Sequence, residues 1–230
     1  MIVEICANSY ESALVAQNTG ADRIELCTDL SVGGLTPSRR EIEKVMQKLS
    51  IPTHVLIRPR PGDFCYSEAE LETMLKDIAF CKELGCAGVV SGVLSTNNMI
   101  APSESKRLIE ASQGMEFTFH RAFDQAISAP NMVNLLMSFG VTRLLSSGRE
   151  LKAIDGINFL KNLNEFIGDK VQIMPGGGIN SENALAFKEA GFKMIHLSAT
   201  KKTATNGMFD SKVEGHSDPA EIEQVIQLLS

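Results

Sequence analysis

Ile2-Val3-Glu4-Ile5-Cys6-Ala7 and, one helix length further on, Asp22-Arg23-Ile24-Glu25-Leu26-Cys27 decide the fold. Each is a short apolar run broken at alternate positions by a charged residue and then a thiol. Side chains on a strand alternate between faces, so Glu4 and Cys6 share one face, as do Arg23, Glu25 and Cys27. Working outward, comparable runs recur near residues 54–60, 88–94, 116–121, 142–147, 171–175 and 194–199. The intervening stretches carry helical spacing. Thr36 before Pro37 reads as an N-cap followed by a proline at the first helical position. Ser67 with Glu70 reads as a capping box, and Asp218-Pro219 with Glu221 as a relative of it. Leu71, Met74, Leu75 and Ile78 form an apolar stripe, and further stripes run through residues 135–139, 159–166 and 222–229.

Strands alternating with helices imply parallel pairing and right-handed crossovers. Eight such units in 230 residues predict an α/β (β/α)8 barrel, a TIM barrel, as one domain over residues 1–230. A doubly wound open sheet is the runner-up, but Cys6-Ala7-Asn8-Ser9 stands where that fold places a glycine-rich turn. The polar connection at 200–217, with Gly207 and Gly215 near its ends, has two readings, a mobile lid and a plain loop.

Net charge is −6, with 22 Lys and Arg against 28 Asp and Glu, and no Trp is present. That balance argues against a nucleic-acid surface. No apolar run approaches the roughly 20 residues of a bilayer span, and the N-terminus reads as a strand rather than a signal peptide. Five cysteines without an export signal point to free thiols in a reducing compartment. P-loop, zincin and GxSxG patterns are absent from the sequence.

Barrel strands are covered on both faces, so polar interruptions are informative. Glu4, Arg23, Glu25, His54, Arg58, Arg60, Thr118, His120, Ser147, His196 and Ser198 all interrupt predicted strands. Pointed at the helix layer such groups are costly; pointed into the barrel near the strand carboxyl ends they meet water, a partner or a ligand. An internal ion-pair network explains Glu4, Glu25 and Arg58 without any site, and either histidine alone is more often a core residue. Convergence from five or six strands favours a site. Gly176-Gly177-Gly178 after strand seven leaves backbone amides free for an anion, with Ser181 as a cap for the next helix; the alternative is a tight turn. Arg58, Arg60 and Arg121 near the same mouth favour an anionic ligand. Cys6 and Cys27 end adjacent strands at equivalent levels, where two sulfurs suit a soft ion such as Cu(I); buried cysteine as a small hydrophobe is the plain alternative.

The same residues carry a family resemblance. Glu4-Ile5-Cys6, residues 20–27 and 33–38, Ile57-Arg58-Pro59-Arg60 with Gly62-Asp63-Phe64, residues 117–124, Ser147-Gly148, residues 174–179 and His196-Leu197-Ser198-Ala199 together resemble the CutC family, named for copper homeostasis. The resemblance extends to about Ala199. It implies a TIM barrel, a cytoplasmic location, an oligomer of dimer type and a role in handling intracellular copper, with Cys6 and Cys27 matching the proposed Cu(I) ligands. Pro61, Cys65 and Ser91 depart from the family pattern and leave the third and fourth loops open.

Two functions follow as expectations. The first is Cu(I) binding by Cys6 and Cys27. The second is an enzyme acting on a small anionic or phosphorylated metabolite, with Glu4 or Glu25 as base, His120 as its acid–base partner, and Arg58 and Arg60 stabilising negative charge. Gly176, Gly177, Gly178, Arg121, Ser147, His196 and Ser198 would then hold the anion. A scaffold working through a surface patch is a third, weaker reading.

Overall fold

A computed structural model describes residues 1–127, 129–201 and 215–230. Eight parallel strands form one sheet: β1 (Ile2–Ala7), β2 (Arg23–Leu26), β3 (Thr53–Leu56), β4 (Gly88–Ser91), β5 (Glu116–Phe119), β6 (Arg143–Ser146), β7 (Gln172–Pro175) and β8 (Met194–Leu197). The order β7-β6-β5-β4-β3-β2-β1-β8 wraps the sheet into a cylinder. β7 and β8 meet through one isolated parallel bridge, Gly176 with His196. The helices outside are α1 (Tyr10–Asn18), α2 (Arg39–Lys48), α3 (Glu68–Glu83), α4 (Pro102–Ala111), α5 (Ala122–Gln125), α6 (Ala129–Phe139), α7 (Ile157–Ile167), α8 (Ala184–Glu189) and α9 (Pro219–Leu229). The (β/α)8 expectation holds, with the short α5 as an addition after β5.

Strand parity explains the layering. Ile5, Ala7, Ile24, Leu26, Val55, Val89, Phe117, Phe119 and Ile195 face outward and join the helix stripes in the main core. Burying each large apolar side chain contributes roughly 1.5–3 kcal/mol. Inside the cylinder, among the described residues, two small apolar clusters remain, Cys6–Cys27–Leu56–Val90 and Leu145–Met174–Met194. The rest of the described interior is polar.

Helix starts follow the sequence in part. Ser67 and Glu70 form the expected capping box of α3, and Asp218 caps α9 by accepting from the Ala220 amide. Glu221 departs from the expected pairing and accepts instead from the Ser181 amide and hydroxyl, at 2.6 and 3.0 Å. Ser181 is therefore not the cap of α8, whose N-cap is Asn183. Thr36 is not a cap either; Ser38 caps α2. Thr36 is engaged elsewhere, accepting the Arg58 amide on its hydroxyl at 2.7 Å and donating its own amide to the Arg58 carbonyl at 3.0 Å. These bonds tie the loop after β2 to the exit of β3. On α7, Leu160, Leu163 and Ile167 are buried, while Phe166 stands out into solvent.

Most of the 200–217 connection lies outside the described residues. Its ends, β9 (Thr200–Lys201) and β10 (His216–Ser217), pair antiparallel.

Candidate metal centre and barrel-mouth cavity

A column of charge fills the barrel axis. In register, Glu4 on β1 lies beside Arg23 on β2 and His196 on β8, and Cys6 lies beside Glu25. Arg23 Nε donates to Glu4 Oε2 at 2.6 Å, and His196 Nδ1 sits 2.8 Å from Glu4 Oε1. Towards the amino ends of the strands, Glu116 Oε2 takes Arg143 Nη2 at 2.7 Å and His54 Nε2 at 3.2 Å, with Arg23 Nη1 at 3.9 Å. Arg143 Nη1 also reaches Thr118 Oγ1 at 3.1 Å.

Electrostatics follow from this packing. Burial works against the Glu4 carboxylate, but the His196 hydrogen bond and the Arg23 charge hold it well below the usual carboxylate range. Burial opposes charge on His196 too, yet Glu25, Cys6 and Glu4 together raise its pKa well above the ordinary histidine value. Glu116 is lowered to about 2, chiefly by its hydrogen bond with His54 and then, against burial, by Arg143.

Above the column lie the thiols. Cys6 Sγ and Cys27 Sγ are 3.5 Å apart, and Glu25 Oε1 is 3.7 Å from Cys6 Sγ. The three ligand atoms of Cys6, Glu25 and Cys27 lie within 4.8 Å of one another. Hydrogen bonding to Cys27 and burial push the Cys6 thiol well up, and burial pushes Glu25 up to about 7. Glu25 Oε2 has no hydrogen-bond partner.

The mouth itself is a cavity of about 860 Å³. Its wall brings together nine of the sequence-predicted residues: Cys6, Glu25, Arg58, His120, Arg121, Gly177, Gly178, His196 and Ser198. Five others stand elsewhere. Glu4 is sealed beneath the floor, and Cys27 lies behind Cys6, each with no exposed surface. Gly176 belongs to the β7–β8 junction. Ser147 is a bracket: it accepts from Arg121 Nη2 at 2.8 Å and lies 2.9 Å from Asp124 Oδ2. Arg60 is not among the residues that line the cavity. Strand β3 ends at Leu56, and although Arg58 still reaches the wall, Arg60 lies four residues beyond the strand. Arg60 instead pairs with Glu70 at 2.5 Å and Asp63 at 2.9 Å, at the start of α3.

Several wall residues were not assigned roles from sequence: Phe64, Asp124, Arg149 and Glu150. Asp124 organises the loop after β6, accepting from the Ser146 hydroxyl, the Ser147 amide, the Arg149 amide and Arg121 Nε. The block 117–124 contained that signal, but a helix of four residues is too short to show a periodicity. Gly177 and Gly178 have φ of 119° and 68°, and a Cβ at each would meet Arg121 and Lys152 at 3.3 Å. Glycine there leaves room for the Arg121 guanidinium and for the aliphatic stem of Lys152 against the loop.

An eight-stranded parallel barrel with a polar axis and a thiol pair towards its carboxyl-end mouth places the chain among TIM-barrel α/β proteins. The CutC family model matches residues 1–201, and the chain belongs to the CutC family. A family protein CutC of Pasteurella multocida is 42% identical over 199 residues, covering 86% of this chain and 82% of that protein. One from Bacteroides fragilis is 42% identical over 209 residues, covering 90% and 83%. The crystal structure of a Streptococcus agalactiae CutC, a protein named for copper homeostasis, aligns with a TM-score of 0.82 at 34% identity, covering 86% of this chain and 98% of that one. A Pyrococcus furiosus N-(5'-phosphoribosyl)anthranilate isomerase aligns with a TM-score of 0.59 at 15% identity over 100% of this chain and 98% of its own, a likeness of fold alone.

Proposed function

We propose that the chain is a cytoplasmic copper-homeostasis protein, working as a homodimer, that binds Cu(I) between Cys6 and Cys27. The observation that carries this reading is the 3.5 Å approach of the two sulfurs, on neighbouring strands, with Cys6 on the cavity wall. Two thiolates supply soft, low-coordinate ligation, which suits Cu(I) better than a hard cation. Binding must displace the thiol protons, so the reduced protein is the competent form. The family membership and the Streptococcus agalactiae relative named for copper homeostasis support the role. Among the described residues no helix is long and apolar enough to cross a membrane. In competition with a chromogenic Cu(I) chelator, the reduced wild type is expected to withdraw one copper per chain. The Cys6→Ser/Cys27→Ser variant should bind at least about tenfold more weakly, roughly 1.4 kcal/mol. Equal uptake by the two proteins would remove the proposal.

A second reading is favoured by size. A cavity of about 860 Å³ is far larger than an ion requires and lies in the range of about 300–1,000 Å³ typical of small-molecule sites. In this reading the barrel is an enzyme for a small anionic metabolite. Glu25, with an unpartnered oxygen beside the wall, replaces Glu4 as the proton acceptor, because Glu4 is sealed and already paired. Gly177, Gly178 and Ser198, with Arg121, hold the anion. Crystals soaked in phosphate or sulfate are expected to show the ion against the 177–178 amides; an empty map there at high soak concentration counts against the reading.

A further inference from the structure

Arg58, Phe64 and His120 make one wall of the cavity. Phe64 packs between the other two, its ring centroid 4.8 Å from that of His120 and 5.0 Å from Arg58 Cζ. Arg58 is buried, and its terminal nitrogens are consumed by backbone: Nη1 donates to the Val32 and Gly34 carbonyls at 2.8 and 2.9 Å, and Nη2 to the Gly62 carbonyl at 3.0 Å. No described carboxylate pairs with it, and Nε has no acceptor. A buried guanidinium held by neutral carbonyls keeps its full charge uncompensated.

His120 complements it. Its Nδ1 accepts the Ala122 amide at 3.3 Å, which leaves the proton of a neutral ring on Nε2, and Nε2 also lacks a partner. The ring is seated against Gly92, where a Cβ would come within 2.7 Å of Nδ1, so the residue opposite must be glycine for the imidazole to lie as it does. Burial, and then the Arg58 charge, hold the imidazole neutral with its pKa lowered to about 3.

We propose that this wall is the seat of a carboxylate group, one oxygen accepting from Arg58 Nε and the other from His120 Nε2. The inference rests on the small-molecule reading of the cavity and sharpens it by naming the ligand class as a small organic carboxylic acid. Charge decides the class. The wall supplies one cation and one neutral donor, which matches a monoanion with two oxygens. A phosphate dianion needs a second positive charge, and this wall holds none: the nearby Arg121 stands beside Gly177 and is itself paired with Asp124. An unmet buried donor is destabilising, so a ligand that satisfies two of them gains directional binding energy that solvent-exposed arginines do not give.

The test uses reduced, metal-free, full-length protein with glycolate and inorganic phosphate as probes. The nitrogen resonances of His120 are followed by 15N correlation spectroscopy, assigned against His120→Gln. Glycolate is expected to move the Nε2 signal saturably while Nδ1 stays unprotonated, and phosphate is expected to leave Nε2 in place. His120→Leu, which removes the donor, should weaken glycolate binding by about tenfold or more, whereas His120→Gln, which keeps an N–H, should stay within about threefold of wild type. The wild-type spectra stand independently of how well either variant folds. Saturable binding of either probe with Nε2 unmoved overturns the carboxylate seat but leaves the small-molecule reading intact. Phosphate moving Nε2, or an imidazolium at neutral pH, also overturns it. Failure of both probes to bind anywhere overturns the two readings together.

Discussion

Glu4→Gln is expected to destabilise the barrel by about 3–5 kcal/mol, because it removes the nearer and fully buried counter-charge of a buried arginine, leaving only Glu116 at 3.9 Å. Arg23 and Glu4 are 2.6 Å apart with side-chain exposures of 8% and 0%, so water cannot take over the lost interaction. The same carboxylate also holds His196 at 2.8 Å, so the substitution strips support from two cationic partners at once. In a domain of this size that loss lowers the melting temperature by roughly 2–4 °C per kcal/mol, or about 6–20 °C in all. The pair need not be stabilising in total, since burying two ions is itself costly. A Glu4→Met/Arg23→Met double variant should therefore recover much of what Glu4→Gln loses, because it leaves no arginine charge stranded. Arg23 already lies 3.3 and 3.6 Å from the sulfurs of Met174 and Met194, so apolar neighbours are at hand. Denaturant unfolding of the three proteins checks this; a Glu4→Gln cost below about 1 kcal/mol would refute the charge-pair account.

The second large effect is a loss of stability in acid that His120 causes. An unfolded histidine takes up its proton near pH 6.5, but in the fold His120 resists it down to about 3 through burial and the Arg58 charge. The unfolded chain therefore binds more protons between those values, and stability falls as pH drops through that window. No penalty is felt above pH 6.5, and the loss of stability amounts to about 4 kcal/mol by pH 3. Glu25 acts with the opposite sign. Its folded pKa is raised to about 7, so the fold holds the extra proton and gains stability as pH drops from 7 towards 4.5. Comparing wild type with His120→Gln isolates the histidine, because Glu25 is common to both. The stability difference between them should change by several kcal/mol between pH 7 and 4, with the variant losing less. Parallel pH profiles would show that His120 protonates freely in the fold.

The division between what could be read from residue order and what could not is physical. Alternation within a strand is a local property, and it correctly placed Glu4, Cys6, Arg23, Glu25 and Cys27 inside the cylinder. It still held for Arg58 and His120, which follow their strands by two residues and one, but not for Arg60, four residues past Leu56, where Glu70 and Asp63 take the side chain. The partners of Glu116 were hidden for a different reason. Arg143 and His54 reach it from separate strands, and which strands neighbour one another is set only when the sheet closes. Thr36 shows a third case: a residue suited to capping a helix is drawn away by a tertiary demand, here the two bonds to Arg58. Asp124 sits in a short helix whose neighbours give no pattern, and its importance appears only as a set of accepted hydrogen bonds.

The junction of β7 and β8 gives the cylinder a lightly stitched seam, with His196 supplying one half of the stitch and also part of the mouth wall. A hoop is weakest at its join, so amide exchange should be fastest along this edge of the sheet when nothing is bound. A guest that grips His196 on one side and the neighbouring Gly177 on the other acts as a clasp, and loading the mouth fastens the whole hoop from within.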